Sequence, residues 1–361
     1  MTTTEQILCR AEALRAQFAD LGGQVVNADV LQPAETLLDL YGEDIRARAY
    51  VTSDPLRGEI MLRPDFTVPV VQMHMETFAE PARYTYSGAV YRKQEHDASR
   101  ANEYIQVGYE VFDGQDIAGA DAEVFAAISK AVEGLPLRSA TGDIGLLTAA
   151  ISGLKTSDAR KAALLRHLWR PRRFKSLLDR FCGRTPTPKF RTKLLAADDP
   201  FEGAWADISL RSRSEVNARI EALRDDAKTP AIGAEERDLL DAILGLQETL
   251  PNVMSALRDI AVDLPAIAGA VETLARRTEA LASHGVDVNA LRFEGSYGRT
   301  NMEYYDGFVF GFYSTVRADL PPIATGGRYD ALTAQLGAGR AVPAVGAVIR
   351  PDLLLAVEEG L

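Results

Sequence analysis

Two ten-residue runs joined by a polar loop constrain this chain most. Arg83–Arg92 reads Arg-Tyr-Thr-Tyr-Ser-Gly-Ala-Val-Tyr-Arg, and Glu103–Phe112 reads Glu-Tyr-Ile-Gln-Val-Gly-Tyr-Glu-Val-Phe. β-branched and aromatic residues dominate both, and Lys93–Asn102 between them is polar. The pattern predicts a long antiparallel hairpin, with Gln106 and Glu110 on one face and Ile105, Val107 and Val111 on the other. Strands arranged as hairpins, rather than alternating with crossover helices, favour an α+β fold. The expected core is a mixed, mostly antiparallel sheet flanked by helices. Neither G-x-G-x-x-G after a strand nor G-x-x-x-x-G-K-[ST] occurs, so the usual nucleotide folds are not indicated.

Around the hairpin, residues 4–20 predict an amphipathic helix. Ile7, Leu8, Ala11, Leu14 and Phe18 recur at helical spacing after a threonine cap, and Gly22-Gly23 stops it. Val25-Val26 and Val30-Leu31 read as strand edges, and Pro33 as a turn into a helix over Ala34–Tyr41. Residues 59–63 read as a strand, after which Pro64-Asp65-Phe66-Thr67 opens a helix through Met75. A helix over Asp121–Glu133, a strand over Leu137–Asp143 and a helix over Leu146–Leu154 follow. From Asp158 to His284, alanine, leucine, arginine and glutamate dominate and prolines break the pattern. This stretch predicts a helical insertion within one core domain spanning 1–361. Its basic run, Arg166–Lys175, reads as a solvated helix end. Strand character returns at Val286–Phe293, Gly307–Val316 and Val345–Ile349, with Gly326-Gly327-Arg328-Tyr329-Asp330 as a turn.

Acids outnumber bases, giving a net charge of -11. Gripping a nucleic-acid backbone needs a basic face, so no nucleic-acid partner is expected. Cys9 and Cys182 lack CxxC spacing, and His74, His96, His167 and His284 lack ligand spacing. Neither a disulfide framework nor a metal site is expected, and no cofactor. No apolar stretch is long enough to span a bilayer, and the first residues lack a signal-peptide pattern, so a cytoplasmic protein is expected.

One group of polar residues suggests chemistry. Asp65 and Thr67 sit at a strand-to-helix junction, Gln106 and Glu110 share a strand face, and Tyr304-Tyr305 are read as lying in another strand. A carboxylate at a helix start can hold an ammonium, and a second carboxylate with a tyrosine hydroxyl can clasp a ring bearing two nitrogens. Singly, each has a plain structural explanation: a cap, a solvent-facing strand position, aromatic packing. Together they outline an amino-acid pocket, with imidazole as a plausible side chain.

Across almost the whole chain, these strings resemble class II histidyl-tRNA synthetases. Leu62-Arg63-Pro64-Asp65-Phe66-Thr67 is similar to Leu-Arg-Pro-Glu-Gly-Thr, Tyr91-Arg92 with Glu103–Glu110 to motif 2, Tyr304-Tyr305 to the histidine motif, and Gly326–Asp330 matches outright. Motif 1 is anchored mainly by Pro33. The resemblance implies that Asp65, Thr67, Gln106, Glu110, Tyr304 and Tyr305 bind histidine and that Arg92 and Arg100 are remnants of phosphate contacts. The departures point away from catalysis. Arg92-Lys93-Gln94 replaces Arg-x-Glu, and Glu95-His96-Asp97 is acidic. Thr300 stands where the histidine motif has its arginine, with Arg299 one residue out of register, and Leu353 stands where motif 3 has its own, with Arg350 one turn earlier. Too few residues follow Asp330 for an anticodon-binding domain, so none is expected. With those changes the chain resembles the regulatory subunits of ATP phosphoribosyltransferase. That family implies no catalytic residues of its own, a short-form catalytic subunit as partner, histidine as feedback effector and self-dimerisation through motif 1. A divergent histidine-activating enzyme is the alternative.

Overall fold

A computed structural model describes residues 3–35, 38, 48–94, 100–202, 211–299 and 304–360. The predicted hairpin is its centre. β5 (Ala82–Tyr91) and β6 (Glu103–Phe112) pair antiparallel along their full length. On the far side of β6 lie β12 (Ala344–Ile349), β11 (Ala324–Arg328), β10 (Phe308–Ser314) and β7 (Leu137–Asp143), all antiparallel. The edges are β1 (Gln24–Val25), parallel to β5, and β9 (Arg292–Glu294), parallel to β7, which in turn pairs with β8 (Gln247–Thr249). The sheet order is thus β1-β5-β6-β12-β11-β10-β7-β9-β8. A smaller antiparallel sheet holds β2 (Leu31–Pro33), β4 (Gly58–Leu62) and β3 (Val51–Asp54). The expected α+β, mostly antiparallel architecture is borne out.

Three helices cover one face of the hairpin region. α1 (Thr4–Asp20) starts on a capping box at Thr3 and Gln6 and buries Ala11, Leu14 and Phe18. Phe18 stacks on Tyr109 of β6 at 5.3 Å. Gly22 has φ +92, a conformation that ends the helix without the steric cost a side chain would meet. Gly23 lies under Tyr109, with no room for a Cβ. α3 (Ile117–Ala131), capped by Asp116, begins earlier than the sequence suggested. Its Phe125 packs on Phe308, Phe310 and Phe312 of β10. α13 (Pro351–Glu358) joins this layer, and Glu358 pairs with Arg10 of α1 at 2.7 Å. α2 (Thr67–Thr77) follows β4, and α4 (Ile144–Ser152) follows β7.

The described residues of 158–284 are largely helical: α5 (Asp158–Arg166), α6 (Pro171–Phe181), α7 (Lys189–Ala196), α8 (Arg213–Lys228), α9 (Ala234–Gly245), α10 (Leu250–Asp263), a 3-10 turn and α11 (Ala268–Ser283). Two features depart from a simple appendage. β8 extends the main sheet, and α11 packs on α3. α6 buries Phe174, Leu178 and Phe181 and leaves Arg172, Arg173 and Lys175 exposed. Val286–Ala290 is not strand, and β9 begins only at Arg292. Most of the predicted helix at Ala34–Tyr41 lies outside the described residues. The segment Gly326–Arg328 is strand β11 rather than a turn, and α12 (Asp330–Leu336) follows it. A Cβ on Gly326 would lie 2.5 Å from the Phe310 ring and 2.6 Å from the Ala347 Cβ. These glycines serve close approach rather than turning. Among the described residues no helix is long and apolar enough to cross a membrane.

A buried ionic cluster fastens α11 to this frame. Arg277 Nε donates to Asp121 at 2.7 Å and its Nη1 to Asp143 at 2.6 Å. The other oxygen of Asp121 accepts from Arg328 Nε and Nη2 at 3.0 and 2.7 Å. Arg328 Nη1 reaches Asp330, whose amide donates to Asp306. Buried charges persist only when paired and hydrogen-bonded, and each guanidinium here meets two carboxylates.

His74 of α2 is fully buried, stacked on Phe112 at 3.8 Å, with Nδ1 3.1 Å from the Tyr84 hydroxyl. Burial pushes its pKa down to about 4. The unfolded imidazole titrates near 6.5. Between those values the unfolded chain binds the extra proton, so this residue's contribution to stability falls as pH is lowered from about 6.5 to about 4. The full loss is roughly 3 kcal/mol. Urea unfolding across that range should be steeper in pH for the parent than for His74→Phe. Parallel curves would contradict a buried neutral ring.

Candidate functional site

The turn from β4 into α2 and the middle of the main sheet converge on one buried carboxylate. Thr67 is the first residue of α2, and Asp65 just before it accepts the Val68 amide at 3.4 Å. Glu110 lies in β6, opposite Tyr84 of β5 and Gly346 of β12. Its Oε1 accepts the Tyr86 hydroxyl at 2.7 Å and Thr67 Oγ1 at 3.2 Å, and its Oε2 accepts the Tyr329 hydroxyl at 2.6 Å. The Tyr304 hydroxyl donates to Thr67 at 3.4 Å. The ring of Tyr304 meets Tyr305 edge-on at 4.9 Å and Tyr329 at 6.0 Å. Thr67, Glu110, Tyr304 and Tyr305 are therefore one cluster, with Asp65 close enough for its charge to act on Glu110 and Tyr305. Gln106 shares the strand face with Glu110 and is buried, and its Oε1 has no partner among the described residues.

Electrostatics follow from burial. Glu110 is pushed up to about 7, chiefly by desolvation. Hydrogen bonds from Tyr329, Tyr86 and Thr67 pull it down, and the charge of Asp65 pushes it up again. Asp306, next to Tyr305, is raised to about 6, first by burial and then by the charge of Asp330.

Several details differ from expectation. Tyr304 and Tyr305 precede β10 in a loop rather than lying in a strand. Glu110 faces no solvent, because Thr67 of α2 and the tyrosines cover it, and Gln106 is buried at the edge of a cleft. Tyr86 and Tyr329 were not singled out for this site. Tyr86 had a signal in the sequence: Gly108 in mid-strand. The two residues are paired, and a Cβ on Gly108 would lie 2.1 Å from the Tyr86 ring. The ring also stacks on Phe66 at 4.3 Å.

Beside the cluster opens a cleft of about 310 Å³ lined by Arg48, Arg92, Lys93, Arg100, Gln106 and Arg350, among others. Arg92 Nε donates to the Pro64 carbonyl at 2.7 Å, and so braces the turn that carries Asp65. Arg350 lies over the Tyr104 ring at 3.8 Å and pairs with Asp352 at 2.7 Å. It reaches the same cleft as Arg92 and Arg100, which the sequence left open. Arg299 does not share it. Its Nε donates to the Leu168 carbonyl at 2.9 Å, its guanidinium lies 4.7 Å from the Phe174 ring, and it is committed to the helical segment. Leu353 is buried. Thr300 and the Glu95-His96-Asp97 run lie outside the described residues.

The chain as a whole has known relatives. The family model for histidyl-tRNA synthetase matches residues 3–198 and 210–354. The chain is 33% identical over 368 aligned positions to the ATP phosphoribosyltransferase regulatory subunit of Agrobacterium fabrum, with 96% of each chain covered. The chain belongs to the histidyl-tRNA synthetase-like family of ATP phosphoribosyltransferase regulatory subunits. The regulatory subunit of Brucella canis is 30% identical, again with 96% of each chain covered. A crystal structure titled as an ATP phosphoribosyltransferase regulatory subunit/histidyl-tRNA synthetase from Bacillus halodurans superposes with a TM-score of 0.69 at 21% identity, covering 98% of this chain and 79% of that one. That likeness shows the class II fold. For a regulatory subunit of this family, the string Gly326–Asp330 has a structural meaning: its arginine closes the ionic cluster and its tyrosine holds Glu110.

Proposed function

We propose that this chain is a non-catalytic regulatory subunit of ATP phosphoribosyltransferase, required for the first step of histidine biosynthesis and for its feedback inhibition by histidine. The observation that carries the feedback role is the buried carboxylate cluster at Glu110. Asp65 and Thr67 would take the amino group of histidine, and Gln106, Glu110, Tyr304 and Tyr305 its ring. The partner is a short-form catalytic subunit in the cytosol, and the chain pairs with a second copy of itself through its motif 1 region. Neither nucleic acid nor a membrane takes part. Loss of synthetase activity is supported by Arg299, which is turned onto Leu168 and Phe174, and by Leu353. Adenylate formation depends on fixed cations at a phosphate in flight, and losing one such donor costs roughly 10²–10³ in rate.

Histidine acts by binding one state of the assembly better than another, a coupling worth about 1–3 kcal/mol. Co-purification with a short-form catalytic subunit, followed by assay with and without histidine, tests this. The catalytic subunit should be active only with this chain and inhibited by histidine, and an unchanged rate in either comparison would refute the role. The basic cleft at Arg92, Arg100 and Arg350 favours a second reading, a histidine-activating enzyme. Histidine-dependent exchange of pyrophosphate into ATP would establish it, and none is expected.

A further inference from the structure

Glu110 has an unusual set of neighbours for a carboxyl group that is 1% exposed. Four elements press on it. β5 supplies the Tyr86 hydroxyl, the β11–α12 junction supplies the Tyr329 hydroxyl, and the start of α2 supplies Thr67 with Asp65 behind it. β12 supplies only the bare backbone of Gly346. Tyr305 also faces the group, and the charge of Arg92 acts on Tyr305. No cation is bonded to Glu110 among the described residues. Three donors occupy three of its roughly four lone-pair sites, two on Oε1 and one on Oε2, so one acceptor position on Oε2 has no donor among the described residues.

We propose that Tyr86 and Tyr329 are positioning residues that hold Glu110 as the proton site of the pocket, so that an imidazole-bearing ligand is bound as an imidazolium on a carboxylate. The inference rests on the pocket being the histidine site. The proton balance is definite. On the acid side, a neutral Glu110 carboxyl meets an imidazolium, and one proton leaves to solvent as the pair forms. On the alkaline side, a carboxylate meets a neutral imidazole, and one proton is taken up from solvent onto the ring. Both routes give the same bound species. With Glu110 near 7 and free imidazole near 6.5, affinity is greatest close to neutrality. It falls by about tenfold per pH unit well outside the optimum on each side. Phenol donors favour the charged carboxylate, so removing one raises the pH at which Glu110 gives up its proton.

Calorimetric titration of histidine into the full chain from pH 5.5 to 8.5, in buffers of different ionisation heat, tests the proposal. The expected result is an affinity maximum near neutrality, with proton release below it and uptake above it. Tyr86→Phe and Tyr329→Phe should each move the acid limb upward by roughly one pH unit while melting cooperatively. A pH-independent affinity, or limbs unmoved in both variants, overturns it. Infrared spectra of the ligand-free chain supply a second readout. A protonated-carboxyl band that is absent in Glu110→Gln should titrate near neutrality, and a Glu110 already ionised at pH 5 also overturns the proposal. The two failures are distinguishable. A titrating band with no histidine binding at any pH removes the pocket reading and the proton exchange with it. Normal histidine binding without the band or the limbs removes only the role of Glu110.

Discussion

Arg277→Met should lower the free energy of unfolding by about 3–5 kcal/mol, which is the cost of breaking a buried ion pair from one side. Arg277 is 2% exposed, and its two carboxylate partners are no more than 6% exposed. Asp121 would keep Arg328, but Asp143 Oδ2 would lose its cation. Its other oxygen already caps α4 through the Leu146 amide. The stranded charge is therefore at Asp143, and the variant Arg277→Met/Asp143→Asn should recover much of the loss, since the neutral amide keeps the cap acceptor. Arg277→Lys should not rescue, because a single ammonium cannot reach both carboxylates as the planar fork does. Urea unfolding of the three variants measures this. A loss under 1 kcal/mol for Arg277→Met would mean that the cluster is solvated in a way its burial contradicts.

That cluster also explains why part of the fold was legible in the sequence and part was not. The hairpin and α1 announce themselves through local periodicity, strand alternation in one and apolar spacing in the other. The ionic cluster has no local signature, because Arg277 lies 156 and 134 positions from its two partners. The glycines at 326 and 327 misled for a related reason. Glycine in sequence signals freedom to turn, and here it signals neighbours that leave no space for a Cβ: the Phe310 ring and Ala347 at Gly326, and the Phe308 carbonyl and Tyr305 ring at Gly327. The candidate site was legible as a set of residues through the resemblance, but not as geometry. Glu110 on a strand reads as solvent-facing until Tyr86, Thr67 and Tyr329 are seen to surround it. Tyr329 was in plain view within Gly326–Asp330, yet only tertiary packing brings its hydroxyl to a carboxylate 219 positions away.

Gly346→Ala should disable the pocket more thoroughly than any change on its rim. Gly346 lies directly opposite Glu110 on the neighbouring strand, and the Glu110 side chain crosses the space where a Cβ would stand. That Cβ would sit 1.3 Å from Oε2 and 2.3 Å from the carboxyl carbon. The Glu110 end must therefore move, and because it is fully buried it has nowhere solvated to go. It gives up the Tyr329 bond at 2.6 Å first, since Oε2 is the oxygen displaced. Overpacking of this kind costs about 1–3 kcal/mol of stability. On the proposed histidine reading of the pocket the functional cost is larger, because a displaced carboxylate would no longer meet a ring donor, and loss of a hydrogen bond to a charged group is worth about 1.5–3 kcal/mol. Histidine affinity should fall by roughly ten- to a hundredfold or more on that basis. A double-mutant cycle separates a local clash from general damage to β12. In a Glu110→Ala background the added methyl group has room, so the stability cost of Gly346→Ala should largely vanish, giving a coupling within the 0.5–3 kcal/mol range of contacting residues. An undiminished cost in that background would place the strain in the strand backbone and not at the carboxylate.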